Sequence, residues 1–559
     1  MSSRKMTGAR FIAETLKGYG VTHVFFVPAI LRQTLVEMET VGIHRVLTHT
    51  EKAAAYMADG YARASRKPGI CMAQSVGAAN LAAGLQDAYL GLSPVIAFTG
   101  RKAPVARYRH AYQEIIHRPL FEPVTKFNAE VDSIDQLPFL LRQAFREATS
   151  AAPGPVHLDT DGYQGDITEA SELTSEIVVE SNFARYPSNR PLAEPETVKE
   201  AVKLLGKAKR PVIVAGGGAT ASGAGEEIVK LAEMLSIPVA TSLNGKGSIL
   251  EDHPLSIGVV GTYSRWCANR VVSEADLVLF IGSHTGDQVT NNWTIPGTGT
   301  PIIQIDIDPC EPGRSYPGCV ALMGDAKKTV HELIRHAGAQ QNRDEWIQHA
   351  RGLVEEWRVQ IKPLYCSDAT PIRPERLCKE IGEWLPPDAI LVVDTGYSGI
   401  WTGTLIELKH PYQRYIRAAG SLGWAFPASL GAKCGAPERP VICFTGDGGF
   451  WYHLSELETA VRCSIRTVTI VNNNDSLGQC LKGVDLAYGD RPGNKDELFC
   501  FGSVSFARIA EEMGCCGIRV TQPDQIAGAL RDAQCADRPV VVEVVTDPQA
   551  KAPEPWTPQ

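Results

Sequence analysis

Short apolar runs recur along this chain, each followed by a stretch of helical character, and that alternation restricts its folds more than any other feature. The first third carries VTHVFFV, GICMAQS, SPVIAFTG and GPVHLDT, with helical stretches such as EKAAAYMADGYARA between them. The middle carries RPVIVAGGG, IPVATS, ADLVLFIG and TPIIQIDID, and the last third AILVVDTG, RPVICFTGDGG, RTVTIVNNN and RPVVVEVV. Strand–helix alternation argues for a parallel sheet covered on both faces. Three such stretches predict an α/β chain of three doubly wound parallel-sheet domains, at 1–185, 190–345 and 365–547. A length of 559 residues accommodates that number at roughly 150 residues per domain. The polar stretch near Tyr186 to Glu196, with its prolines, reads as a linker. A charged helical stretch around Arg343 to Ile361 leads into the third domain, and the proline-bearing tail at 548–559 is expected to be disordered or draped on the surface.

Composition narrows the function class. The net charge of −8 is scattered and no basic stripe is present, which argues against a nucleic-acid partner. No run approaches the roughly 20 apolar residues of a membrane span, and the first 20 residues have the pattern of an amphipathic helix rather than a signal peptide. The 14 cysteines are dispersed without a CxxC pair, as expected for reduced thiols in a cytoplasmic protein.

The segment VICFTGDGGFWYHLSELETAV starts as a buried strand, turns at Gly446-Asp447-Gly448-Gly449 and continues as a helix. Glycines at such a turn let backbone N–H groups approach an anion closely. The aspartate there is suited to a hard cation that neutralises the anion. Asn474 follows 27 positions later, at the end of the next strand. Adjacent parallel strands joined by one helix bring both ends to the same edge of the sheet. A lone GDGG is equally a tight turn with a helix N-cap, and the asparagine run at this distance is what separates the two readings.

GDGGF followed by ELETAV and NNN resembles the signature of thiamine-diphosphate (ThDP) enzymes of the acetolactate synthase, pyruvate oxidase and benzoylformate decarboxylase type. The resemblance extends along nearly the whole chain. It implies that Asp447 and Asn474 bind Mg²⁺ through their side chains and Ser476 through its carbonyl. It also implies that Gly446, Gly448, Gly449, Asn474, Leu477 and Gly478 contact the cofactor. Such enzymes need a carboxylate to drive the cofactor's proton relay, a general acid/base task. Glu51, in THTEKAAAYMADGYARA, matches the family's catalytic glutamate, with Thr50 and Lys52 in place of the usual His and Gln. A single Glu at a helix start is otherwise explained by dipole compensation. Its presence argues against the family's glyoxylate carboligases, which lack it.

Other segments carry the resemblance further. Gly420-Ser421-Leu422-Gly423 resembles the stretch that bends the cofactor, with Leu422 as the apolar wedge. Tyr397 and Ser398 stand in the loop that touches the diphosphate. Asn80 closes a segment similar to the family's loop near the pyrimidine. Tyr112-Gln113-Glu114 resembles F-Q-E, whose glutamine faces the reacting centre, so Gln113 is a candidate catalytic and substrate-contacting residue and nearby His110 a candidate acid or base. Ala29 and Ile30 replace the glycines of a substrate-side loop. Gln479 and Cys480 stand where acetolactate synthases have apolar acceptor-pocket residues.

In the middle domain, family members bind FAD, an adenine nucleotide, coenzyme A or nothing. The flavin-binding pattern has two arginines that are absent from Gly282–Thr290 here, which argues against FAD. The resemblance implies a decarboxylase or carboligase acting on a 2-oxo acid or related ketone, through an enamine that is protonated or joined to a second carbonyl. It further implies a homodimer or homotetramer with active sites between subunits. The rival readings are a C–C bond hydrolase of a diketone and a non-catalytic member of the family.

Overall fold

The structure is a computed structural model that describes residues 4–338 and 342–558. Its frame is three sheets of six strands, every strand pair within them parallel, plus a small antiparallel ribbon of Arg4–Thr7 with Glu172–Ser175. Across the first sheet the strands lie in the order His44–Leu47, His23–Phe26, Gly69–Gln74, Val95–Arg101, Val156–Asp161, Phe127–Val131. Across the third they lie as Arg414–Arg417, Ile390–Val393, Val441–Gly446, Val468–Asn473, Val540–Val545, Cys516–Val520. Numbered by position in the chain, both sheets read 2-1-3-4-6-5. The middle sheet differs: Ser256–Val259, Val239–Thr241, Pro211–Ala215, Leu277–Ile281, Ile302–Asp306, Val320–Met323, which is 3-2-1-4-5-6.

These orders decide where ligands can sit. In open α/β sheets the crevice lies beyond the carboxyl ends of the strands where the winding reverses. In the third sheet that point falls between Ile390–Val393 and Val441–Gly446, so Asp394 and Asp447 emerge on its two sides. In the first sheet it falls between His23–Phe26 and Gly69–Gln74, opening on the Val27–Ala29 and Ser75–Gly77 loops. In the middle sheet it falls between Pro211–Ala215 and Leu277–Ile281, opening on Gly216 and Gly282.

The strands are buried because helices cover both faces: Val212, Ile213 and Val214 or Val392, Ile442 and Phe444 are wholly or almost wholly inaccessible. The first and third domains share one core, built where the helix Glu51–Ser65 crosses the helix Ala425–Gly435. The crossing is close because glycines face backbone. A Cβ on Gly60 would overlap the Ala428 carbonyl, and one on Gly431 would overlap the Met57 carbonyl. Asp59 accepts from the Trp424 indole at 2.9 Å, and the Arg63 guanidinium lies over that ring.

Two local expectations are refined. The N-terminal helix is Gly8–Gly18, preceded by a strand, and the charged stretch before the third domain is the helix Asp344–Tyr365. The tail through residue 558 is draped: Ala550 and Ala552 are buried, Glu554 pairs with Lys482, and the Trp556 carbonyl accepts from Asn269. None of the described helices is long and apolar enough to cross a membrane.

Candidate active site

Asp447 opens the short helix Asp447–Trp451, with Gly446 as its N-cap, directly after the strand Val441–Gly446. It is 2% exposed, and its Oδ2 has no hydrogen-bond partner among the described residues. Burial pushes its carboxyl up to about 7, against the opposing effect of the Gly448 and Ser476 N–H groups. The neighbouring strand Val468–Asn473 pairs Asn472 with Gly446, which carries Asn474 and Ser476 to the same edge. Asn474 Oδ1 accepts from the Ser476 N–H at 3.3 Å, and Ser476 is buried with a hydroxyl that has no partner among the described residues.

The glycines leave room that side chains would fill. A Cβ on Gly448 would overlap Leu477, one on Gly449 would lie 3.0 Å from Asp394 Oδ2, and one on Gly478 would lie 2.9 Å from the Asn474 amide. Ser398 is buried 3.7 Å from the position a Gly446 Cβ would take. Tyr397 packs edge-on to Trp401. Gly420 is exposed with open space around it, and Leu422 is half-buried.

Two carboxylates hold these loops, and one of them, Asp87, lies outside every motif read from the sequence. Asp394 accepts from the N–H groups of Thr395, Gly423 and Ala425 and from the Thr445 hydroxyl. Burial nevertheless pushes it up to about 6. Asp87, on a first-domain helix, accepts from the N–H groups of Ala419, Gly420 and Ser421 at 2.9–3.2 Å. It therefore fixes the loop that carries Leu422. A carboxylate three hundred residues from its partners leaves no local pattern to read.

On the first domain, Glu51 begins the helix Glu51–Ser65, capped by the Thr50 hydroxyl. Its Oε2 accepts from the Asn80 amide at 3.1 Å, and its other oxygen lies so close to Gly77 that a Cβ there would overlap it. Gln113 has a left-handed backbone (φ 58°); its Oε1 accepts from the Tyr163 hydroxyl and its carbonyl from Ser75. The Lys102 ammonium lies 3.6 Å from the centre of the Tyr163 ring. His110 is exposed, also left-handed, and without a hydrogen-bond partner among the described residues, so nothing here orients it as an acid or base.

The substrate-side expectations divide. Ala29 is half-buried with φ 75°. Ile30 departs from expectation: it is wholly buried in the first domain's core, so it offers a substrate no surface. Gln479 and Cys480 are exposed. Gln479 Nε2 donates to the hydroxyl of Tyr263, from the middle domain, at 3.1 Å, a contact the motifs did not suggest. At the middle sheet's reversal point lies a cavity of about 1250 Å³, lined by Gly217, Gly218, Ser283, His284 and Asp306 together with Arg414 and Arg417 of the third domain.

Comparison with known proteins agrees with this arrangement. Residues 6–119, 198–333 and 394–544 match, in order, the families described as thiamine pyrophosphate enzyme N-terminal TPP binding domain, central domain and C-terminal TPP binding domain. The chain is 35% identical to the probable acetolactate synthase large subunit of Methanocaldococcus jannaschii, over 98% of this chain and 93% of that one. It is 31% identical to the acetolactate synthase large subunit of Corynebacterium glutamicum, over 98% and 88%. It is 28% identical to the acetolactate synthase isozyme 3 large subunit of Escherichia coli, over 94% and 92%. With three matched domains in order and similarity along nearly its whole length, the chain belongs to the thiamine pyrophosphate enzymes.

Proposed function

We propose that this enzyme is a ThDP- and Mg²⁺-dependent decarboxylase or carboligase of the acetolactate synthase type, acting on a 2-oxo acid. The observation that carries the reading is the buried, unpartnered Asp447 oxygen beside Asn474 and Ser476. An orphaned acceptor in a buried site is costly, and a cation offsets that cost. One carboxylate, one amide and one carbonyl make an incomplete shell for a hard cation, which diphosphate oxygens would fill. Bound ThDP supplies a carbon nucleophile that adds to a carbonyl and permits loss of CO₂.

The chain's own residues supply position and protons. Asp447, Asn474 and the Ser476 carbonyl would hold Mg²⁺. Gly448 and Gly449 let the backbone approach the diphosphate. Leu422, on the loop fixed by Asp87 and Asp394, would set the cofactor's bend. Glu51 would hold a proton against the pyrimidine ring, and Gln113 would donate to a substrate oxygen. The exposed apolar side chains Val105, Tyr108, Tyr112 and Ile116, next to Gln113, support a second copy of the chain covering this face, with active sites shared between subunits. The middle-domain cavity supports a nucleotide-sized occupant, and the missing arginines weigh against FAD.

The test is incubation with ThDP, Mg²⁺ and a panel of 2-oxo acids, aldehydes and diketones, with products identified by mass. The expected result is CO₂ release from a 2-oxo acid, slowed by about 10²–10⁴-fold in Glu51→Gln. Ring opening of a diketone without CO₂ would instead favour hydrolysis. Bound cofactor without turnover of any ketone would favour a non-catalytic member.

A further inference from the structure

Behind Glu51 the first domain buries a polar cluster that the proposed chemistry does not use. Thr99, His117, His157 and Asp159 are all at most 2% exposed. His117 Nε2 faces the Ser75 carbonyl at 2.9 Å and Nδ1 faces Asp159 Oδ1 at 3.0 Å. Thr99 also donates to Asp159 Oδ1 at 2.7 Å. Burial raises the Asp159 pKa, but the His117 and Thr99 hydrogen bonds, with the neighbouring imidazoles, outweigh it and hold the carboxyl below its usual range.

A buried polar contact of this kind is weak evidence for stability, because desolvation offsets much of the attraction. What it does secure is the place of one backbone carbonyl. Ser75 opens the turn into the helix Gly77–Leu90, and that turn touches both candidate catalytic side chains of the first domain. The Ser75 hydroxyl donates to the Gln113 carbonyl at 2.5 Å. Gly77 abuts the Glu51 carboxylate, and Asn80, one helical turn further on, donates to its other oxygen.

We infer that His117, held by Asp159, is a positioning residue: by anchoring the Ser75 carbonyl it fixes the turn against which Glu51 and Gln113 are aligned. The inference rests on the proposed ThDP chemistry. His117 touches neither cofactor nor substrate; it acts through the turn. Misplacement of a catalytic group by about 1 Å costs on the order of 10²-fold in rate, so loss of the anchor should appear in proton transfer more than in binding.

The test compares wild type, His117→Leu, His117→Gln and Asp159→Asn. Amide hydrogen exchange over residues 75–80 is followed by mass spectrometry in cofactor-free protein. Exchange of the ThDP C2 proton is followed by NMR after acid quench, and ThDP affinity by fluorescence titration. In His117→Leu the 75–80 amides should lose protection while those of the sheet keep theirs. C2 exchange and kcat should fall about 10–100-fold, with KM and ThDP affinity near wild type. His117→Gln, which keeps a donor, should recover most of the loss. Unchanged protection and C2 exchange in a folded His117→Leu would overturn the inference. So would a fall in affinity and thermal stability with C2 exchange unaltered. If His117→Leu does not fold, Asp159→Asn, which loosens the hold on His117, should show the same loss of 75–80 protection and of C2 exchange, and unchanged values there would overturn the inference; failure of all three to fold would mark a core role and overturn it equally. A wild type that neither binds ThDP nor exchanges its C2 proton would sink the cofactor reading, while the amide arm would still decide whether His117 holds the turn.

Discussion

At the residue scale, a side chain's environment matters more than its type, and His453 illustrates this. It lies just beyond the helix that Asp447 opens, 3% exposed, edge-on to Tyr56, with neither ring nitrogen bonded among the described residues. Burial, with the charge of Lys52, pushes its pKa down to about 4. The folded value is below the unfolded one, so as pH falls from 6.5 to 4 the unfolded chain takes up a proton that the folded chain refuses. Stability is therefore lost on acidification. His453→Phe should remove this contribution, shrinking the stability difference between pH 8 and pH 4 by about 3 kcal/mol. Urea midpoints at the two pH values read this directly, and parallel profiles for variant and wild type would refute it. Glu51, Asp447 and Asn474 were legible in the sequence because each sits at a strand–helix junction with a local pattern around it. Asp87 was not, since its partners are backbone N–H groups on a loop 332–334 residues away. The burial of Ile30 in the first domain's core is not legible either, since no motif announces which way a loop side chain faces.

At the element scale, the strands and helices themselves were readable from the apolar runs, while the contact between elements was not. The helix Glu51–Ser65 carries the candidate catalytic glutamate, and its seat on the helix Ala425–Gly435 depends on two glycines with no signature beyond being small. Gly431→Ala drives a methyl into the Met57 carbonyl. It should destabilise the protein by about 1–3 kcal/mol, the usual cost of overpacking. The control is Gly206→Ala, in the last turn of the helix Pro195–Lys207, where nothing among the described residues lies within 4 Å of the new methyl. There the gain in helix propensity should stabilise by roughly 0.5–1 kcal/mol. Opposite signs in chemical denaturation would separate close approach from propensity. Equal effects would show that the helix crossing relaxes freely.

At the scale of the whole molecule, three parallel-sheet domains were legible, but their internal order was not. Strands made of Val, Ile and Leu pair with any similar neighbour, so 2-1-3-4-6-5 in two domains and 3-2-1-4-5-6 in the other appear only in the fold. That duplication has a consequence for assembly. The first and third domains have matching crevices, one presenting Glu51, Asn80 and Gln113 and the other Asp447 and Asn474. If each active site joins the first domain of one chain to the third domain of another, two inactive variants can repair one another. Glu51→Gln removes the proton relay, and Asp447→Asn removes the cation ligand. When the two are unfolded and refolded together in equal amounts, half of the dimers pair one variant with the other. Each such dimer holds one site with both defects and one site with neither. Activity should return to about a quarter of wild type, a figure set by the symmetry of closed dimers alone. Sites built within one chain would each keep a defect, and the mixture would stay as inactive as its parts. The recovered fraction therefore reads the architecture of the site independently of which 2-oxo acid it accepts.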